Sequence, residues 1–111
     1  MKYDMKLKEQ PFSMIKQGLK TIELRLYDEK RRTIQVGDNI CFHHDDETID
    51  VVVTNLFIFP DFKSLYETLP LMKCGYTKDD IKDASPIDMN AYYTVEEQKK
   101  YGVIGIEIVL E

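Results

Sequence analysis

The sequence predicts an α+β protein, a small and mostly antiparallel β-barrel or curled sheet with short helices covering its ends. Three observations lead there. Five segments carry strand patterning: 1–7, 19–27, 39–44, 49–59 and the closing "VIGIEIVL". Three or four short helical stretches are mixed among them without regular βαβ alternation, which argues against a doubly wound sheet. Finally, the 111 residues contain no internal repeat, linker or low-complexity run, so one domain over 1–111 is expected.

Each element has a local reason. In 1–7, Met1, Tyr3, Met5 and Leu7 alternate with Lys2, Asp4 and Lys6, the pattern of a half-buried strand. "QPFSMIKQG" follows, with Pro11 suited to a first helical turn, Phe12 and Ile15 on one face with Leu19, and Gly18 as the cap. The strand 19–27 comes next, and 28–35 reads as a charged loop. "VGD" precedes a strand at 39–44, and "HDDET" is a turn. "IDVVVTNLFIF" is apolar on both faces, as a central strand is. Asp61 caps a helix with Phe62, Leu65 and Leu69 at helical spacing. A weak cap at Thr77 and Asp80 predicts a turn or two of helix at 78–83, and "SPIDMNAYY" reads as loop. Thr94 and Glu97 form a capping-box pattern for a helix that Gly102 ends.

Composition narrows the partners. The formal net charge is −5, which counts against indiscriminate nucleic-acid binding but leaves room for a local basic groove. "KRR" at 30–32 reads as a solvated loop. No stretch approaches the roughly 18 apolar residues of a membrane helix. "MKYDMKLKEQ" has no signal-peptide core, so a cytoplasmic protein with no membrane partner is expected. Cys41 and Cys74 have no CxxC spacing and read as free thiols. His43, His44, Asp45 and Asp46 invite a metal reading, but neighbouring strand residues face opposite ways, so no metal site and no cofactor is expected. His43 alone remains a possible acid/base group.

The chemistry concentrates in "GLKTIELRLY". Read as a strand, Ile22, Leu24 and Leu26 form the apolar face, and Lys20 shares their parity at a barrel mouth. Glu23 and Arg25 lie on the other face, roughly 6.5–7 Å apart at Cα. Lys20 and Glu23 converge only if Lys20 belongs to the turn after Gly18, or if a bulge re-aims one of them. A nearby carboxylate would make the lysine an anion binder, whereas a desolvating pocket would make it a base or nucleophile. The bland alternative is a snorkelling lysine beside a surface Glu–Arg pair worth about 0–1 kcal/mol. Tyr92 and Tyr93 are candidates for base stacking or for packing on the barrel. Glu96 and Glu97 are explained by the helix dipole and the cap.

Gly18, Lys20, Glu23 and Arg25 match a G-x-K-x-x-E-x-R signature, and the chain resembles the ASCH domain family, whose name comes from a transcription coactivator. "VGD" at 36–38 and "YYTVEEQKKYGVIGIEI" extend the resemblance over nearly the whole chain. It implies a PUA-like barrel and a cleft around the signature that binds RNA or a nucleotide. Lys20, Glu23, Arg25 and Tyr93 are then the expected contacts. Some members resemble enzymes, an N4-acetylcytidine amidohydrolase and ribonucleases among them, which would make Lys20 and Glu23 catalytic. The amidohydrolase pattern has threonine three residues after the lysine. Here that position is Glu23, Thr21 lies nearby, and the downstream acid is Asp88 or Glu96 by region only. A protein-interaction adaptor is the third expectation.

Overall fold

The computed structural model describes residues 1–111. One five-stranded sheet carries the fold, in the order β1-β3-β4-β5-β2. The strands are β1 (Lys2–Lys6), β2 (Ile22–Leu26), β3 (Asn39–His44), β4 (Glu47–Phe59) and β5 (Val103–Leu110). Helix α1 (Glu9–Lys16) links β1 to β2, α2 (Phe62–Thr68) follows β4, and α3 (Val95–Tyr101) leads into β5. Three pairings are antiparallel, and β1 joins β3 in parallel. β4 holds the middle of the sheet, as its two apolar faces require.

The sheet curls but does not close through a backbone ladder, because β1 and β2 are its two edges. Curvature is helped by an irregularity in β4. Val53 pairs with Ile108 and Asn55 with Glu107, so Thr54 is the extra residue of a bulge, which bends its strand. Thr54 donates its hydroxyl proton to Glu107 at 2.7 Å. The architecture is therefore an open half-barrel consistent with a PUA-like fold.

Two apolar cores flank the sheet. The concave side holds Tyr3, Met5, Phe12, Ile15, Ile40, Phe42, Val51, Ile104, Ile106 and their neighbours. The convex side packs Ile22, Leu24 and Leu26 against Phe62, Leu65, Leu69, Cys74 and Met89. This reverses a sequence expectation. The apolar face of β2 lies under α2 and the turns after it, not in the barrel. Directly paired residues share a face, and Glu23 pairs with Ile106 while Arg25 pairs with Ile104. The charged face of β2 is thus the concave one.

Other boundaries moved for local reasons. β2 begins at Ile22, not 19, because the chain is still leaving α1. Gly18 takes a left-handed φ of 77°, and Leu19 and Lys20 both donate their backbone N–H to the Met14 carbonyl. Leu19 is consequently exposed and leaves the Phe12–Ile15 face. "SPIDMNAYY" is not loop throughout. Pro86–Ala91 is a 3₁₀ segment opened by a capping box between Ser85 and Asp88. The expected turn at 78–83 shortens to a 3₁₀ turn at Ile81–Asp83.

Gly105 marks where the convex core presses hardest on the sheet. A Cβ there would lie 2.7 Å from Leu69 Cδ1 and 3.2 Å from Ile22 Cγ2. Gly105→Ala should therefore destabilise the fold by about 1–3 kcal/mol through overpacking, read as a lowered urea midpoint with an unchanged slope.

Candidate functional site

Lys20, Glu23 and Arg25 meet at one buried carboxylate. Lys20 Nζ lies 2.8 Å from Glu23 Oε1, and Arg25 Nε donates to Glu23 Oε2 at 2.7 Å. The side chains of Lys20, Glu23 and Arg25 are only 11%, 4% and 14% exposed, so this is no surface pair. Lys20 reaches Glu23 because it belongs to the turn after Gly18, the condition under which the two can converge. Its stem crosses Gly75, whose φ is 115° and whose absent Cβ would lie 3.4 Å from Lys20 Cδ. The next residue, Thr21, is fixed on both sides: its N–H donates to the Lys73 carbonyl and its carbonyl accepts from Ile108.

Arg25 also bridges the sheet's open seam. Its Nη2 donates to the Lys6 carbonyl at the end of β1, at 3.0 Å. The guanidinium thus links the two edge strands where no backbone ladder does.

The electrostatics follow from this geometry. Burial pushes the Glu23 carboxyl up, but Lys20 and Arg25 outweigh it and hold the group below the usual carboxylate range. Burial opposes the Arg25 charge, and Glu23 more than restores it. Nearby, burial pushes the Cys74 thiol up to about 11, so it is not a ready thiolate nucleophile near neutral pH.

The cluster lines a cleft of about 430 Å³. One wall is a hydrogen-bonded chain. The Tyr66 and Tyr76 hydroxyls lie 2.7 Å apart, and Tyr76 donates to Asp88 Oδ2 at 2.7 Å. Burial raises the Tyr76 hydroxyl's pKa, and its bonds to Tyr66 and Asp88 raise it further, keeping it protonated as a donor. Lys6 and Lys8 also line the cleft. Together with Lys20 and Arg25 they outnumber Glu23, Asp80 and Asp88, so the cleft has a local excess of cations on an acidic chain.

The two tyrosines have different roles. Tyr93 lines the cleft, but its ring stacks on Phe62 with centroids 6.3 Å apart. Burial raises its hydroxyl pKa, with Arg25 opposing. Tyr92 is the exposed ring at the rim, and Lys8 Nζ lies 5.4 Å from its centroid. Thr21 and Glu96 do not line the cleft, whereas Asp88 does. Gly75 and Tyr76 were missed in the sequence because they fall in an irregular segment, where periodicity carries no information, and Tyr66 because it lies in α2 outside the Phe62–Leu65–Leu69 spacing that marked the helix.

The remaining sequence candidates lie elsewhere. The "KRR" cations are occupied by their own surroundings. Lys30 reaches the Asp4 carbonyl, Arg31 pairs with Asp28 at 3.0 Å, and Arg32 lies over the Tyr27 ring. His44 points to the Leu7 carbonyl and the Phe12 ring, and His43 points the other way to Asp4. No helix is long and apolar enough to cross a membrane.

A curled five-stranded sheet with a lysine–glutamate–arginine cluster beside its open seam defines a class, and comparison with known proteins gives that class its name. The ASCH domain family model matches residues 5–111. The chain belongs to the ASCH domain family. It is similar to the crystal structure of the hypothetical protein PH0355, with a TM-score of 0.84 and 35% identity over 100% of both chains. It is also similar to the solution NMR structure of protein PF0455 from Pyrococcus furiosus, with a TM-score of 0.76 and 35% identity. That match covers 99% of this chain and 97% of the other. No curated protein matches the chain.

Glu23→Ala should cost about 3–5 kcal/mol, because it strands two buried cations. Glu23 has a folded-state pKa below its ordinary value of 4.5. Its stabilising contribution is therefore complete above that value and is lost as pH falls through the lower folded value. Urea midpoints measured across this acid range should decline in the native protein, and the part due to this group should vanish in Glu23→Gln.

Proposed function

We propose that this ASCH domain binds RNA or a nucleotide in the cleft beside the seam. One arrangement carries the reading: two cations held by a single buried carboxylate in a cleft partly walled by tyrosines. Lys20 and Arg25 contact phosphate or a base edge. Glu23 fixes both, and its remaining lone pairs can accept from a base amine. Tyr92 offers an open ring for stacking, and Tyr93 supports the wall from its place on Phe62. The volume is that of a small-molecule pocket, suited to a nucleotide or a short strand end. A local cation excess reconciles phosphate binding with the negative chain.

A second reading, hydrolysis of a modified nucleoside or of RNA, has one observation in its favour. Asp88 supplies a downstream acid on the same cleft through Tyr76. In this reading Lys20 and Glu23 are catalytic, and substrate must first break their 2.8 Å contact.

Affinity for a short single-stranded RNA and for cytidine monophosphate should fall as salt rises. Lys20→Met and Arg25→Met should each weaken it about tenfold or more while the circular dichroism spectrum stays native. Binding that ignores salt and both substitutions would sink the proposal. Mass spectrometry of the same mixtures, with N4-acetylcytidine added, separates the two readings. Product that disappears in Lys20→Met marks an enzyme, and binding without product marks a binding module.

A further inference from the structure

The outward face of β1, β3 and β4, opposite the concave core, gathers a mixed set of donors that the sequence scatters. Asp4 of β1 pairs directly with Cys41 of β3, and Cys41 pairs directly with Asp50 of β4. Directly paired residues share a face, so the three form a row across adjacent strands. His43 stands two residues beyond Cys41 on the same side. Its Nε2 lies 2.8 Å from Asp4 Oδ1. One ligand atom each from Asp4, Cys41 and His43 lie within 4.8 Å of one another.

The thiol is the informative member. Ile40 and Phe42 point into the concave core and are fully buried, so Cys41 between them points outward. It is nonetheless only 7% exposed. Asp4 and Asp50 flank it on the two neighbouring strands, each paired directly with it. A buried thiol under apolar residues is packing, whereas this one lies among a histidine and two carboxylates.

We infer that Asp4, Cys41 and His43 form a zinc-class divalent metal site that staples β1 to β3, with Asp50 or water as the fourth ligand. Sulfur, imidazole nitrogen and carboxylate oxygen together are the donor set of zinc rather than of calcium or magnesium. Tetrahedral zinc needs its ligand atoms about 3.3–3.8 Å apart, from bond lengths of about 2.0–2.3 Å. The arrangement is within about 1 Å of that spacing, and Asp4, with its side chain 71% exposed, is free to make the adjustment. On binding, the Cys41 S–H bond is replaced by a metal–thiolate bond and its proton leaves to solvent. Lys2, 3.7 Å from Asp50, and Lys30, at the Asp4 carbonyl, are the competing cations and move aside or lower the affinity. The expectation of no metal site weighed His43 and His44 with Asp45 and Asp46, and the two cysteines separately, but never joined Cys41 and His43 to Asp4. The register of β1 against β3, which unites Asp4 with Cys41, is invisible in the sequence.

The test titrates the purified, reduced protein with Co²⁺ and, separately, with Zn²⁺. The expected result is one equivalent of Co²⁺ with a thiolate-to-metal charge-transfer band and tetrahedral visible bands, both displaced by Zn²⁺. Zn²⁺ should also raise the thermal midpoint, because it binds only the folded arrangement. Cys41→Ser should abolish the charge-transfer band, and His43→Ala should weaken binding about tenfold or more. Cys74→Ser, in the core beneath α2 and on none of the strands that carry the donors, should leave the charge-transfer band and the metal-induced midpoint shift unchanged. No saturable binding would overturn the inference. So would a charge-transfer band that survives Cys41→Ser and is lost in Cys74→Ser.

Discussion

The buried Glu23 carboxylate organises the cleft side of the molecule. It lies on the concave face of β2, opposite Ile106, where an apolar residue would ordinarily sit. A lone carboxylate there would be prohibitively desolvated. Two cations make it tolerable, and each is fixed by it in return. The arrangement is weak evidence for stability as such, because an apolar substitute of similar volume often does as well. Its effect is positional. It holds one ammonium and one guanidinium, both largely shielded from water, along the lining of a cleft.

The open sheet explains why the cleft exists. A backbone ladder between β1 and β2 would seal the barrel and leave no access to its concave face. Instead the edges are joined by the Arg25 guanidinium at the Lys6 carbonyl. That contact spans the seam with a side chain, which leaves space beside it. The irregular segments after α2 supply the facing wall, from Cys74 and Gly75 through Tyr76 to Tyr93. Hydrogen bonds among Tyr66, Tyr76 and Asp88 give that wall a defined shape without regular secondary structure. The cleft is thus lined by a strand on one side and a braced loop region on the other.

Much of the fold was legible from local rules. Alternation marked β1 and β5, the Gly-Asp turn placed β3, the double-sided apolar run marked β4 as central, and Asp61 and Thr94 cap the helices as their side chains suggest. The signature residues were legible as a group, and the sequence left two ways for Lys20 to reach Glu23, the turn after Gly18 or a bulge, of which the turn is the one observed. The direction of β2 was not legible. An apolar face and a charged face say nothing about which core lies where, and a protein with two cores can bury both. The wall was not legible either, since 3₁₀ segments of three to six residues leave no periodic trace. Asp88 was visible only as an acid in the right region. Its place in the cleft depends on the Ser85 cap and the Tyr76 contact.

The most direct test of the cleft is an amide and side-chain NMR titration with cytidine monophosphate, then with a short single-stranded RNA. Shift changes should centre on Lys20–Arg25, on the 74–76 turn and on Tyr92 and Tyr93, and the Arg25 Nε–H resonance should respond directly. Perturbations confined to other surfaces, or none at saturating ligand, would contradict the claim that the Lys20–Glu23–Arg25 cluster is a nucleotide-binding site.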